Sequence, residues 1–220
     1  MTENEAFKYF LDNHARYVSF KEAVGGFFIN NRVLNDSEKP LIHSIKTRIK
    51  SETSFKDKIR RKLDKQISLS IENISDEVTD YVGVRVLHLY SFQAKEIDLE
   101  IRKMISSGDW KFFEPPKAYT WDPDSQKFFE NMGMICEIKD SHYTSLHYTV
   151  RPNNNTSQVT CEIQVRTLFE EIWGEIDHSV NYPHQTENYA NREQLRVLSK
   201  LISTGTRLAD SIFNIHNYRP

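Results

Sequence analysis

Glu162, Gln164 and Arg166 occupy every second position of VTCEIQVRTLFEEIWGEIDH, residues 159–178, a stretch that reads as a strand running straight into a helix. Successive strand residues point to opposite faces, so the acid, the amide and the guanidinium share one face while Ile163 and Val165 share the other. A core would fill that face with aliphatic groups, so this pattern suits a polar ligand. A second acid, Asp80, opens the apolar stretch DYVGVRV, which Arg85 interrupts. An arginine inside a valine-rich strand is costly unless it is partnered, and Gly83 beside it would let a flat ligand or another backbone come close. Asp80 and Arg85 are five positions apart, so both can serve one site only if Asp80 lies in the turn before the strand.

Residues 46–65 carry nine Lys or Arg against three acids. Such a run is commonly a solvated helix face. Here, however, Arg48 is followed by Lys50, Ser54 and Lys58, which would line one stripe of a helix at i, i+4 and i+8. A hydroxyl between two ammonium groups is a reasonable cradle for a polyphosphate. In HYTSLHYTV, Tyr143, Ser145 and His147 alternate. Alone they would suit an ordinary edge strand; beside Glu162 they supply a stacking platform and a polar hand. Two carboxylates and a polyphosphate are the usual setting for Mg²⁺, which takes one or two protein carboxylates and completes its octahedron with phosphate oxygens and water. No glycine-rich phosphate loop is present, so side chains would have to hold the phosphates. The chemistry indicated is phosphoryl or nucleotidyl transfer.

The elements that must position these groups follow from periodicity. EAFKYFLDNHARYVSFKEAVGGFFI repeats apolar residues at helical spacing, with Gly25-Gly26 expected to break or end it; LIHSIKTRIK and SETSFKDKIRRKLDKQ also read as helical. DYVGVRVLHLY reads as a buried strand, and SFQAKEIDLEIRKMISSG as a helix stopped at Gly108. DWKFFEPPKAYTW, MICEIKD, YTSLHYTVRP and QVTCEIQVRT are strand-like, with Asp122-Pro123 in a connection and NNNTSQ as a hairpin loop. NREQLRVLSKLISTGTRLADSIFNI closes the chain with a helix. The expected fold is α+β, a central sheet covered by helices. The expected divisions are an N-terminal helical segment at 1–40, a core at 41–184 and a C-terminal helix at 185–220.

With 29 basic and 31 acidic residues, the net charge of -2 offers no global cationic field for non-specific nucleic-acid binding. The two cysteines, Cys136 and Cys161, have neither zinc nor disulfide-scaffold spacing and suit reduced, half-buried strand positions. The charged N-terminus and the lack of any run of about 18 apolar residues lead to the expectation of a cytoplasmic protein with no membrane partner. A homo-oligomer is compatible with the sequence.

RIKSETSFKDKIRRK, DYVGVRV, HYTSLHYTV and EIQVRTLFEEIWGEIDH, in that order, resemble the synthetase domain of the RelA/SpoT alarmone enzymes and, by size, the stand-alone small alarmone synthetases. The resemblance covers residues 46 to about 182. It implies a nucleotidyltransferase-like mixed β-sheet flanked by helices. It also implies a pyrophosphokinase that moves the β,γ-pyrophosphate of ATP to the 3′-hydroxyl of GDP or GTP, making (p)ppGpp. By the same resemblance Arg48 and Arg85 sandwich the adenine of ATP and Lys50, Ser54 and Lys58 contact its phosphates. Asp80 and Glu162 ligate Mg²⁺, with Glu162 also the base. Tyr143 lies under the acceptor base, and His147, Gln164 and Arg166 surround the acceptor. The chain departs from its relatives where His142 replaces a glycine and Thr144 an arginine. Glu171 stands where relatives often place His or Asn, close to the acceptor base. Toxic members of the family use adenine nucleotides or the 3′ end of tRNA as acceptor, so these remain alternatives. A catalytically inactive nucleotide-binding relative is the third, against which the retention of Asp80 and Glu162 argues.

Overall fold

The computed structural model describes residues 1–154, 158–182 and 185–217. In chain order the elements are α1 (Glu3–Asp12), α2 (His14–Asn30), β1 (Ser44–Ile49), α3 (Glu52–Asp64), α4 (Ile74–Glu77), β2 (Val82–His88) and α5 (Gln93–Ser106). There follow β3 (Trp110–Phe112), β4 (Lys117–Thr120), α6 (Pro123–Asn131), β5 (Ile135–Ile138), β6 (Ser145–Pro152), β7 (Cys161–Thr167), α7 (Leu168–Asn181) and α8 (Tyr189–Asn217). The seven strands form one sheet in the order β1-β2-β7-β6-β4-β5, with β3 also paired to β6. The β2–β7 and β4–β5 pairs are parallel and the others antiparallel, giving the expected mixed sheet flanked by helices.

Alternation builds the two faces of the sheet centre. Val82, Val84 and Val86 of β2 and Cys161, Ile163 and Val165 of β7 are buried in the core, together with Phe20, Val24 and Phe28 of α2 and Ile97 and Ile101 of α5. Each such aliphatic side chain contributes roughly 1.5–3 kcal/mol by leaving water, which holds the strands level while their other face stays polar. Capping sets the helix starts near the site. The Ser51 hydroxyl accepts from Ser54 N at the head of α3, and a reciprocal Thr167–Glu170 capping box begins α7 directly after β7.

Three local expectations are corrected. Residues 44–49 form a strand, not a helix, because Ile45, Thr47 and Ile49 alternate with Lys46 and Arg48 at period 2 and pair with β2. The Gly25-Gly26 pair does not end a helix. It lies inside α2, where a Cβ on Gly25 would stand 3.0 Å from Thr47 Cγ2, so the glycine lets α2 close on β1. Asp122-Pro123 opens a helix, α6. The Asp122 carboxylate accepts from Asp124 N and Ser125 N, and proline takes a first-turn position where its missing N–H costs nothing.

Cys161 is fully buried rather than half-buried, Cys136 is half-buried, and both are free thiols on strands. The loop expected at NNNTSQ connects the antiparallel pair β6 and β7. Its residues 155–157 lie outside the described residues. Among the described residues no helix is long and apolar enough to cross a membrane.

Candidate active site

Strand register assembles the site in two rows across the sheet. Lys46 pairs with Arg85, Arg85 with Gln164, and Gln164 with His147. One step along, Arg48 pairs with Gly83, Gly83 with Glu162, and Glu162 with Thr149. The polar face of β1, β2 and β7 thus forms the floor of a cleft of about 690 Å³, and α7 forms its wall with Glu175, His178 and Tyr182. Arg48, Arg85, Tyr143, Glu162, Gln164 and Arg166 all line it. β6, which carries His147, pairs with β7, β4 and β3, so it is an interior strand and not an edge.

Glu162 sits at the centre of a hydrogen-bonded chain. Gln164 Nε2 donates to its Oε2 at 2.6 Å, and His147 Nδ1 lies 3.2 Å from its Oε1. An ionised carboxylate only accepts, so Nδ1 carries a proton, and on the other side of the ring Nε2 lies 3.0 Å from the Tyr143 hydroxyl. Burial works to raise the Glu162 pKa, yet the hydrogen bond and charge of His147 and the bond from Gln164 hold it below the usual glutamate range; the Asp80 carboxylate is near enough to oppose them.

Asp80 lies in the turn just before β2, the one placement that lets it share a site with Arg85. Lys58 Nζ is 2.7 Å from its Oδ1 and Lys50 Nζ 2.9 Å from its Oδ2. Burial pushes this carboxyl up, but the two ammonium groups prevail and hold it at about 2. Lys50 precedes α3, so the helical stripe expected of Lys50, Ser54 and Lys58 does not form as such; only Ser54 and Lys58 are on the helix. The end of β1 and the first turns of α3 nevertheless bring both lysines to Asp80. This cluster adjoins the cleft without lining it, and the Ser54 hydroxyl reaches the cleft wall through Tyr182 OH at 3.0 Å.

Tyr143 follows His142, whose φ of 63° is in the left-handed region. Glycine takes that conformation freely, whereas a side chain costs about 1–2 kcal/mol there, which accounts physically for the glycine expected in relatives. Thr144, expected in place of an arginine, is buried with its hydroxyl 3.3 Å from that of Thr120. Arg166 lies over the Tyr143 ring, 5.6 Å from its centroid.

Glu171, expected against the acceptor base, is found in other company. Lys46 Nζ and Arg85 Nη1 each stand 2.8 Å from its Oε1, and Arg166 Nε 2.9 Å from its Oε2. Burial opposes ionisation, but the hydrogen bond from Lys46 and the two guanidinium groups keep its pKa below the usual glutamate range.

The sequence reading missed Lys46 as a member of the site, and Glu175, His178 and Tyr182 as its wall. Arg85 Nη1 lies 2.6 Å from Glu175 Oε1, and the rings of His178 and Tyr182 stack 4.4 Å apart. Their signal is the spacing 174, 175, 178, 181 on a helix that starts at the end of the site strand, which keeps one helix face over the cleft, with Tyr182 at its C-cap.

Among the described residues no group of three or more His, Cys, Asp or Glu side chains is arranged to hold a metal alone. Mg²⁺ does not need one, because one or two carboxylates beside a polyphosphate suffice; Asp80 and Glu162, near enough for their charges to interact, have the donor chemistry it would need.

Residues 47–187 match the family described as a region found in RelA / SpoT proteins. GTP pyrophosphokinase YjbM of Bacillus subtilis (strain 168) is 33% identical over 85 residues, a match spanning 37% of this chain and 39% of that relative's length. The B. subtilis small alarmone synthetase 1 bound to its product pppGpp superposes with a TM-score of 0.68 at 20% identity, over 92% of this chain and 95% of that one. A GTP pyrophosphokinase family protein from Streptococcus pneumoniae gives 0.70 at 20% identity, over 97% and 98%. At such identities these structures establish a shared fold.

Proposed function

The chain belongs to the RelA/SpoT family, and from that premise we propose that it transfers the β,γ-pyrophosphate of ATP to the 3′-hydroxyl of GDP or GTP, making (p)ppGpp and releasing AMP. The observation that carries this reading is a pair of half-buried carboxylates close enough for their charges to interact, Asp80 in the turn before β2 held by Lys50 and Lys58, and Glu162 on β7 beside His147. The similar synthetases solved with pppGpp and with AMPCPP support the choice of nucleotides.

In this reading Arg48 and Arg85 flank the adenine, while Lys50, Ser54 and Lys58 take the phosphates. Mg²⁺, held by Asp80 and Glu162 with phosphate oxygens and water, would neutralise charge on the polyphosphate. The acceptor base lies on Tyr143, with His147, Gln164 and Arg166 around its sugar and phosphates. Glu162 takes the proton of the 3′-hydroxyl as the O3′–Pβ bond forms and the bond from Pβ to the α-phosphate oxygen breaks, so AMP leaves. Most of the acceleration comes from holding donor and acceptor in line.

The test is incubation of the protein with γ-labelled ATP and, separately, GDP, GTP, ADP, ATP and deacylated tRNA. Labelled nucleotide with GDP or GTP is expected. Label only on adenine nucleotides or tRNA would overturn the guanine assignment, and no labelled product with any acceptor would overturn the enzymatic reading.

A further inference from the structure

We infer that Glu171 is a positioning residue that fixes Arg85 and Arg166 together beneath the cleft, and that it does not read the acceptor base. The inference rests on the proposed pyrophosphate transfer for its kinetic consequences, and on geometry alone for the arrangement itself. The Glu171 side chain is 7% exposed and is absent from the cleft lining, whereas Lys46, Arg85 and Arg166 all line it. The carboxylate therefore lies below a layer of its own cations. Oε1 accepts hydrogen bonds from Lys46 and Arg85, and Oε2 is ion-paired with Arg166 Nε at 2.9 Å without the alignment of a hydrogen bond. A nucleobase could reach it only by displacing charged groups that are themselves part of the site.

The three cations come from β1, β2 and β7, so a single carboxylate ties three strands at the level of the cleft floor. Arg166 needs such a counter-charge, since its side chain is only 3% exposed and an unpaired buried guanidinium is very costly. Its far end fills the space left by Gly174, where a Cβ would stand 2.6 Å from Nη1. Arg85 is fixed in the same way, with Nη1 also on Glu175 and Nε 3.4 Å from Gln164 Oε1. Because Arg85 serves the donor side and Arg166 the acceptor side, Glu171 couples the two halves. A base contact would touch only the acceptor.

Glu171→Gln should therefore raise KM for ATP and for the acceptor together, each about tenfold, the size expected for losing a hydrogen bond between charged groups. The ratio of guanine to adenine acceptor turnover should stay unchanged. A changed ratio with an unmoved KM for ATP would overturn the inference. Glu171→Asp keeps the charge but is too short to hold both arginines, and is expected to show the same pattern more weakly, so it serves if the glutamine variant does not fold. The arrangement has a separate readout in the arginine side-chain Nε–Hε signals, assigned with Arg85→Lys and Arg166→Lys. The Arg166 Nε–Hε signal should shift in Glu171→Gln or Glu171→Asp, because the counter-charge 2.9 Å from Nε is removed or withdrawn; an unaltered signal would refute the pairing even if the protein transfers no pyrophosphate.

Discussion

The side chain of Arg48 lies across Gly83 of the neighbouring strand, so close that a Cβ added to Gly83 would stand 3.4 Å from both Cγ and Nε of the arginine. That separation admits one methyl group and no more. Gly83→Ala should leave ATP affinity within about twofold of wild type, whereas Gly83→Val should lift Arg48 and weaken ATP by about tenfold, roughly the worth of one desolvated cation–π contact. Calorimetric titration with a non-hydrolysable ATP analogue measures both. Equal affinities for the alanine and valine variants would show that Arg48 does not bind ATP from this position.

Glu162→Gln is nearly isosteric and keeps an oxygen for His147, so the fold should persist. Transfer should fall by more than the ~10²–10⁴ typical of losing a general base, since a metal ligand is lost with it. Single-turnover rates with labelled ATP decide this, and a variant with more than about a tenth of wild-type turnover would make Glu162 a structural residue.

Arg48→Ala and Arg85→Ala should each cost roughly 0.5–2 kcal/mol of ATP affinity. Arg48→Ala should spare the acceptor, because Arg48 has no partner among the acceptor residues, whereas Arg85→Ala also unties Glu171. Separate KM determinations for donor and acceptor test the difference. An acceptor KM raised as much as that for ATP in Arg48→Ala would contradict the assignment.

The folded-state pKa of Asp80, about 2, lies below its ordinary 3.8, so the group adds stability that is fully present above the ordinary value and is lost as pH falls towards 2. The shift corresponds to about 2 kcal/mol near neutrality, roughly half of it gone by pH 3. Asp80→Asn should be less stable than wild type at pH 6, and the gap should narrow below about pH 4. Denaturant unfolding of both proteins from pH 6 to pH 3 gives the comparison, and a constant gap would mean that the lysines do not hold this carboxylate.

Much of the site was legible because it depends on period. The alternation of Glu162, Gln164 and Arg166 survives folding unchanged, and the condition that Asp80 lie in a turn is met. β1 was misread because Ile45, Thr47 and Ile49 form too short an alternation to stand out beside the long helical run after Ser51. α6 was hidden by its opening Asp-Pro, which marks turns and helix starts alike. His142 resists a sequence reading for another reason: its left-handed backbone is one that residues with side chains rarely take, so its identity gives no sign of it.

The amino-acid sequence by itself determined which residues share a strand face and which helix follows β7, because side-chain direction follows from backbone geometry within a few residues. Only the tertiary structure decided that Arg85 would meet Gln164, 79 positions away, and that Glu171 would be enclosed by cations from three strands. Strand order and register come from burying one apolar face of every strand at once. No local period records which strand becomes whose neighbour, and it is that pairing which sets the partner of each buried charge.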